Sequence, residues 1–211
     1  MLHGIPHDLL SLTSNPRGGY LAFLGRIAPE KRVDRAIAIA RAVGLPIKIA
    51  AKVDRVDEEF FRREIKALLD LPGVEFVGEI DERCKCKFLG EARALLFPID
   101  WPEPFGLVMI EAMACGTPVL AFRRGSVPEV VDDGITGHIV DSVEEAICKI
   151  GSTLSLNRSR IRRRFEERFT AARMAQDYLK IYQQLISKPD GPILERNVPV
   201  IPASGASEIV H

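Results

Sequence analysis

The sequence lacks an excess of charge of either sign, and it lacks any long uninterrupted apolar run. Its 211 residues carry 29 Lys and Arg against 29 Asp and Glu. This balance disfavours broad electrostatic capture of nucleic acid or of an anionic membrane surface. The longest apolar region, residues 106–122, contains Glu111 and Pro118, so no membrane-spanning helix is expected there. Because the first residues lack the basic flank and apolar run of a secretory signal, a cytoplasmic protein is expected.

Motifs for metals and for the common nucleotide cofactors are also missing. The sequence has four cysteines, which are Cys84, Cys86, Cys115 and Cys148. They do not form the two closely spaced pairs of a zinc site, so free thiols are expected. His3 and His7 are separated by Gly4 and Pro6, which prevent a shared helix face for a metal. No G-x-G-x-x-G follows a predicted strand and no G-x-x-x-x-G-K-[ST] occurs, which disfavours dinucleotide-binding and P-loop proteins.

The sequence does have a regular alternation of short apolar runs with amphipathic stretches. Apolar residues make up 46% of the chain, enough for a sizeable core at this length. Six apolar runs predict strands at Tyr20–Leu24, Ile47–Ala51, Val74–Val77, Ala94–Phe97, Val119–Phe122 and His138–Val140. Because helical patterns separate these runs, the sequence predicts the α/β class with a doubly wound parallel sheet.

The strand pattern ends at Gly151, and two C-terminal helices are predicted, at Arg158–Phe169 and Ala171–Ser187. Their apolar residues at helical spacing are expected to face inward, namely Ile161, Phe165, Phe169, Met174, Tyr178, Ile181 and Leu185. The run of arginines between Arg158 and Arg164 is expected to form a solvated helix face, paired with glutamates four residues further on. The predicted boundaries are an irregular segment at 1–19, one domain at 20–187 and a flexible tail at 188–211.

The first candidate site follows the first predicted strand. In an open parallel sheet, ligands bind beyond the carboxyl ends of the strands, where loops and helix N-termini converge. Arg26 follows this strand directly, and Lys31 lies in the first turn of the next predicted helix. Cations at a helix N-terminus interact unfavourably with the helix dipole. Their presence here is explained if a diphosphate binds between them. The alternative is that Arg26 pairs with Glu30 and that Lys31 is simply solvated.

The second candidate site surrounds a loop and the helix that follows it. Glu103 precedes a proline, which keeps its backbone out of the helical region and in the loop. The helix is predicted to begin near Phe105 or Gly106, leaving its first N–H groups free to meet an anion. Glu111 falls a turn or more inside the helix, so two carboxylates would flank this anion site, as a nucleotide-sugar requires. The alternative has Glu103 as a solvated acid and Glu111 as a salt-bridged helix residue.

Both segments resemble motifs of the retaining GT-B glycosyltransferases of family 4. The resemblance rests on Gly25-Arg26-x-x-x-Glu30-Lys31 and Glu103-x7-Glu111, together with Pro102–Leu107, Glu111–Val119, Val127–Val131 and Asp133–Gly137. It extends from about His3 to Tyr182. It implies that the chain is the C-terminal, Rossmann-like half of a GT-B fold, the half that binds the nucleotide-sugar donor in this family of hexosyltransferases.

The resemblance also implies roles for individual residues. Arg26 and Lys31 would hold the diphosphate and neutralise the leaving group, and Glu103 would bind donor-sugar hydroxyls and orient the anomeric carbon. Glu111 would hold the ribose. The whole implied donor-binding set is Gly25, Arg26, Lys31, Gly78, Glu79, Ile80, Glu103, Phe105, Gly106, Leu107 and Glu111. Of these, Arg26, Lys31 and Glu103 are the expected catalytic residues, and the loop 78–80 would lie near the base. No metal or other cofactor is expected, and UDP is the expected nucleotide.

The sequence departs from the family pattern in two respects. Arg32 stands where the family usually has glycine, which is expected to be a minor change at the start of the helix. The segment Leu2–Pro6 resembles the interdomain connection, so residues 1–19 are interpreted as a linker remnant and the acceptor-binding N-terminal domain as missing. That domain would be supplied by another chain or lost from this one. The rival hypothesis is a truncated protein or pseudoenzyme that binds nucleotide without turnover, and a carboxylate-pair hydrolase is a third.

Overall fold

The computed structural model describes residues 2–187, in which six parallel strands form a single sheet. The strands are β1 (Leu21–Arg26), β2 (Ile47–Lys52), β3 (Val74–Gly78), β4 (Ala94–Phe97), β5 (Val119–Phe122) and β6 (Gly137–Val140). Their order across the sheet is β3-β2-β1-β4-β5-β6. The chain therefore builds the sheet outward from β1 in one direction and then from β4 in the other. The predicted doubly wound parallel sheet is confirmed.

Helices follow the strands as the apolar spacing predicts. They are α1 (Val33–Ala42), α2 (Glu58–Phe60), α3 (Lys66–Leu69), α4 (Glu82–Gly90), α5 (Leu107–Ala114), α6 (Val127–Val130), α7 (Val143–Leu154), α8 (Arg158–Arg168) and α9 (Ala171–Ile186). A 3-10 turn, Pro29–Lys31, precedes α1. A second 3-10 turn, Arg55–Asp57, leads into α2, and the π-helical turn Phe61–Ile65 joins α2 to α3. Together these short elements span residues 55–69 between β2 and β3.

The sheet separates two apolar layers. One layer packs residues of α4, α5 and α8 against the sheet, and the other packs residues of α1 and α7. Successive residues of a strand serve opposite layers: Leu21 and Phe23 belong to the second layer and Ala22 to the first. Because side chains alternate across a strand, an uninterrupted apolar run such as 21–23 requires cover on both faces. The two helical layers supply it.

Arg158 and Arg162 of α8 do not lie on the solvated face that the sequence predicts, whereas Arg160 and Arg163 are exposed as expected. Arg158 donates to the carbonyl oxygens of Thr13, Ala92 and Gly90 at 2.6, 3.0 and 2.8 Å. Arg162 is buried and donates to backbone carbonyls near the start of the chain, although it also makes the expected pair with Glu166. These guanidinium groups satisfy carbonyls that the surrounding loops leave unpaired. The prediction was wrong for these two arginines because the acceptors lie far away in sequence.

The prediction that the apolar residues face inward was right for α8 and wrong for α9. Ile161, Phe165 and Phe169 are fully buried. Among the residues that the structure describes, however, α9 contributes none to the core, and Tyr178 and Leu185 are 42% and 62% exposed. The helix is amphipathic, but its apolar face is open.

The segment before β1 packs against the domain. Leu10 is fully buried, and Ile5 exchanges backbone hydrogen bonds with Phe169 and Ala171 at 3.0 and 2.9 Å. These contacts hold residues 2–19 against α5 and α8. The predicted division at residue 19 stays a prediction, and the predicted tail at 188–211 lies outside the described residues. Within residues 2–187, no helix has the length and apolar character needed to cross a membrane.

Candidate functional site

The candidate site lies where β1 and β4 adjoin in the middle of the sheet. The connections from these two strands run in opposite directions, which opens a crevice at their carboxyl ends. A cavity of about 190 Å³ occupies this place. It is lined by Phe23, Leu24, Gly25, Lys31, Phe97, Glu103, Gly106, Leu107 and Val108. Five of the predicted donor-binding residues therefore surround one cavity, namely Gly25, Lys31, Glu103, Gly106 and Leu107.

A close ion pair joins the two candidate segments across this cavity. Lys31 Nζ lies 2.6 Å from Glu103 Oε2, and both side chains are largely shielded from solvent, at 23% and 12% exposed. The indole N–H of Trp101 donates to the same oxygen at 3.1 Å. Lys31 is therefore not simply solvated, and Glu103 is not a free loop acid. The two residues face each other between the 3-10 turn before α1 and the loop before α5.

Arg26 ends β1 amid three carboxylates. Its guanidinium lies 2.7 Å from Glu30, 3.5 Å from Asp54 and 3.6 Å from Asp57. The hydrogen bond to Glu30 is the largest of the effects that raise the pKa of Arg26 above its ordinary value. The alternative pairing with Glu30 is thus present in the free chain. The Arg26 side chain is not among those that line the cavity, and it stays 42% exposed.

The first turn of α5 supplies backbone donors to the cavity. Gly106 precedes α5 in the left-handed region, at φ +75°. A Cβ at this position would lie 2.7 Å from Met109 Cε and 3.2 Å from Phe97 Cζ, so glycine is required here both by conformation and by space. The first N–H groups of a helix have no intrahelical acceptor and attract anions. The Phe105 side chain itself is buried against His3 and Phe169, so this residue offers the site only its backbone.

Glu111 is buried in α5 and paired with Lys85 of α4. Lys85 Nζ lies 2.8 Å from Glu111 and 2.9 Å from Glu82. Burial lowers the pKa of Lys85, but its hydrogen bonds to Glu111 and Glu82 outweigh this effect and hold the pKa above its ordinary value. The sequence analysis missed this lysine. Its position one turn after Glu82 on a predicted helix carried no signal of a contact with α5.

The loop Gly78-Glu79-Ile80 does not line the cavity. It follows β3, which is the edge strand and lies two strands away from β1. Gly78 adopts φ +74°, and Ile80 packs against the apolar layer that contains α5. Of the eleven predicted donor residues, the structure sets the three of 78–80 apart at the sheet edge. The other eight lie in β1, the 3-10 turn and the α5 region, and five of these eight line the cavity.

The histidines and thiols that the sequence offers are structural or isolated. His138 is buried, and its Nδ1 lies 3.0 Å from the hydroxyl of Thr153. The four cysteines are free. In the part of the chain that the structure describes, no group of three or more His, Cys, Asp or Glu side chains is arranged to hold a metal ion. The charged side chains that line the cavity are those of Lys31 and Glu103.

A Rossmann-like domain with a crevice at its switch point is the class that fold and site define. The sequence profile of the family described as Glycosyl transferases group 1 matches residues 11–170. The chain belongs to this family.

Named relatives and solved structures agree with this assignment. The chain is 35% identical over 194 residues to a D-inositol 3-phosphate glycosyltransferase of Saccharomonospora viridis, covering 83% of this chain and 45% of that protein. It is 28% identical over 184 residues to an alpha-maltose-1-phosphate synthase of Mycolicibacterium smegmatis, covering 78% and 48%. The chain thus spans about half the length of these relatives.

Solved structures show the same fold. One is AviGT4, a glycosyltransferase involved in avilamycin A biosynthesis, with a TM-score of 0.71 at 23% identity over 88% of this chain and 57% of that one. Another is Alr3699/HepE of Anabaena in complex with UDP-glucose, with a TM-score of 0.70 at 18% identity over 86% and 56%. At these identities the likeness concerns the fold.

Proposed function

We propose that this chain is the donor-binding half of a retaining GT-B glycosyltransferase of family 4, which transfers a sugar from a nucleotide-sugar. The observation that carries the proposal is the Lys31–Glu103 pair at the cavity between β1 and α5. It joins, in one place, the two motifs on which the family resemblance rests. A UDP-sugar is the proposed donor, since a solved glycosyltransferase of this fold is described in complex with UDP-glucose.

The diphosphate of the donor lies, in this proposal, between the β1 end and the first turn of α5. Lys31 and Arg26 provide its counter-charges, and the N–H groups that follow Gly106 provide hydrogen bonds. When the bond between the anomeric carbon and the diphosphate oxygen breaks, negative charge grows on that oxygen. Cations already fixed beside it stabilise this charge without reorganisation, which is how such groups accelerate a reaction. No metal ion is needed for this step.

The two carboxylates divide the remaining contacts of the donor. Glu103 lies in the cavity and accepts hydrogen bonds from hydroxyls of the donor sugar, which orients the anomeric carbon. Glu111 lies further along α5, where Lys85 of α4 pairs with its carboxylate. This carboxylate accepts hydrogen bonds from the ribose. The acceptor site belongs, in this proposal, to an N-terminal domain within the part of the relatives that residues 1–211 do not cover. Without that domain the chain binds donor but does not transfer the sugar, and a cytoplasmic location is part of the same proposal.

The proposal is tested by titrating the chain with UDP, GDP and ADP in a calorimeter. The double variant Arg26→Ala/Lys31→Ala removes both counter-charges, and each charge-assisted contact is worth about 1.5–3 kcal/mol, so an affinity loss of at least about 100-fold is expected. The matched control Arg160→Ala/Arg163→Ala removes two exposed charges from α8 and should bind as the parent does.

Each outcome bears on a different part of the proposal. Saturable binding of one nucleotide, lost in the site variant and kept in the control, supports a donor site in this chain. Binding that survives the loss of both cations contradicts the assigned site. A folded chain that binds none of the three nucleotides contradicts the proposal for this chain alone. Binding without any transfer, even after an N-terminal domain is added, favours the alternative of a nucleotide-binding module without turnover.

A further inference from the structure

Trp101 is the single tryptophan of the chain, and it stands against both charged residues of the cavity. Its indole N–H donates to Glu103 Oε2 at 3.1 Å, the same oxygen that Lys31 contacts at 2.6 Å. The Lys31 ammonium lies 5.4 Å from the centroid of the indole ring. The indole, the ammonium and the carboxylate are thus mutual neighbours, each in contact with the other two.

The loop that carries Trp101 is fixed on both sides. Asp100, the residue before it, accepts from Arg32, Arg35 and Arg124 at 3.1, 2.8 and 3.3 Å. The backbone N–H of Asp100 also donates to the carbonyl of Glu30 at 2.8 Å. These contacts tie the loop to the 3-10 turn and α1, the segment that contains Lys31.

On the other side, the backbone of Glu103 closes the same loop. Its N–H donates to the Trp101 carbonyl at 2.8 Å, and its own carbonyl accepts from the N–H of Ser126 at 2.9 Å. The indole therefore has a defined direction although it is 38% exposed. A tryptophan kept only for packing would be buried and would not need a charged acceptor.

We propose that Trp101 is a positioning residue for the donor site, which orients the Glu103 carboxylate and holds the Lys31 ammonium against the cavity. This inference rests on the proposed function. When a diphosphate draws Lys31 away from Glu103, the indole N–H is the contact that remains on the carboxylate. Glu103 is then kept in place for the hydroxyls of the sugar instead of turning towards solvent.

The proposal is tested with the variant Trp101→Phe, which keeps an aromatic ring over Lys31 but removes the N–H donor. Calorimetry with UDP and UDP-glucose should show roughly 10- to 100-fold weaker binding of UDP-glucose, the loss expected for one hydrogen bond to a charged group. UDP itself should be affected less, since it makes no contact with Glu103. Tyr178→Phe, a change at an exposed aromatic residue of α9, serves as the control and should leave both affinities unchanged.

Because Trp101 is the only tryptophan, its indole can also be replaced throughout the protein without touching another position. Benzothienylalanine keeps the bicyclic ring but has no N–H, whereas 5-fluorotryptophan keeps the N–H. The first protein should bind UDP-glucose like Trp101→Phe, and the second should bind like the parent. A role in packing alone would not separate these two proteins. In the parent, indole emission should change saturably with added UDP, at the midpoint that calorimetry gives.

Three results would overturn the inference. UDP-glucose affinity within twofold of the parent in Trp101→Phe would show that the indole positions nothing. Equal affinities of the two indole-analogue proteins would exclude the N–H as the active group. Failure of the parent to bind any nucleotide would instead overturn the proposed function and this inference with it. The first two results leave the proposed function standing, so the two failures are distinguishable.

Discussion

At Arg32, glycine should destabilise the protein less than alanine does. This is the reverse of the order found within an ordinary helix. Arg32 lies between the 3-10 turn and α1 at φ +52°, ψ +49°. Among residues 2–187 it is the single non-glycine residue with positive φ. The left-handed region costs a residue with a Cβ about 1–2 kcal/mol, and glycine nothing. This is the position at which the resembled family usually has glycine, so the change is larger than the sequence indicates.

Arg32 offsets that cost through its side chain. Its guanidinium makes hydrogen bonds to Asp34 at 2.8–3.2 Å and one to Asp100 at 3.1 Å. Partly exposed pairs of this kind contribute about 0.2–1 kcal/mol each. Arg32→Ala loses these pairs and keeps the backbone cost, so the free energy of unfolding should fall by about 1–2 kcal/mol. Arg32→Gly loses the same pairs but also removes the backbone cost of the left-handed conformation. This gain is reduced by about 0.5–1 kcal/mol, because glycine has greater freedom in the unfolded chain.

The glycine variant should therefore be more stable than the alanine variant by about 0.5–1 kcal/mol. The control is Arg163, which is exposed within α8. There the alanine variant should exceed the glycine variant by about 1 kcal/mol, as in any helix interior. Urea unfolding followed by far-ultraviolet circular dichroism measures all four proteins. If alanine is the more stable substitution at both positions, the strain assigned to Arg32 is refuted.

Three further predictions concern burial and conformation. Arg158→Met leaves several buried acceptors unpaired and should lower the free energy of unfolding by about 3 kcal/mol or more, measured by urea unfolding; a loss below about 1 kcal/mol would contradict the role assigned to its hydrogen bonds. Gly106→Ala places a Cβ 2.7 Å from Met109 and should cost about 1–3 kcal/mol of stability, with weaker nucleotide binding by calorimetry; an unchanged protein would show that the turn tolerates a side chain. Burial lowers the pKa of His138 below its ordinary 6.5. The unfolded chain therefore binds a proton at this histidine more readily than the folded chain does. Stability should therefore fall as the pH drops below about 6.5, and His138→Gln should lack this part of the slope.

The sheet was predictable because its signals are local. An apolar run of four residues such as Ala94–Phe97 or Val119–Phe122 is bounded by turn residues, and the structure places the strands at those same residues. The start of α5 was predictable for a related reason. A proline after Glu103 excludes helix there, and Gly106 supplies the left-handed residue that precedes Leu107.

Contacts between distant segments were not predictable in this way. The partners of Arg158 lie 41–145 residues away, so spacing along α8 suggested glutamates four residues on instead. The pairing of Lys85 with Glu111 was not predicted for the same reason, because 26 residues separate them in the sequence. Trp101 is only two residues from Glu103, yet nothing in that spacing shows that an indole N–H turns back onto the carboxylate. Periodicity likewise shows that α9 has an apolar face but not what covers it.

The charges of the site are balanced before any ligand arrives, and this decides how a donor would bind. Lys31 is paired with Glu103, and Arg26 with Glu30. A diphosphate therefore replaces these carboxylates as the partner of the two cations. Its binding free energy is the difference between the ion pairs that it forms and those that it breaks. The exchange at Lys31 has a second effect, because it leaves an acceptor position for a sugar hydroxyl on Oε2 of Glu103, which the Trp101 indole still contacts. On the proposed function, the sugar contact and the phosphate contact are thus coupled through one ion pair, and a complete nucleotide-sugar should gain more than its separate parts.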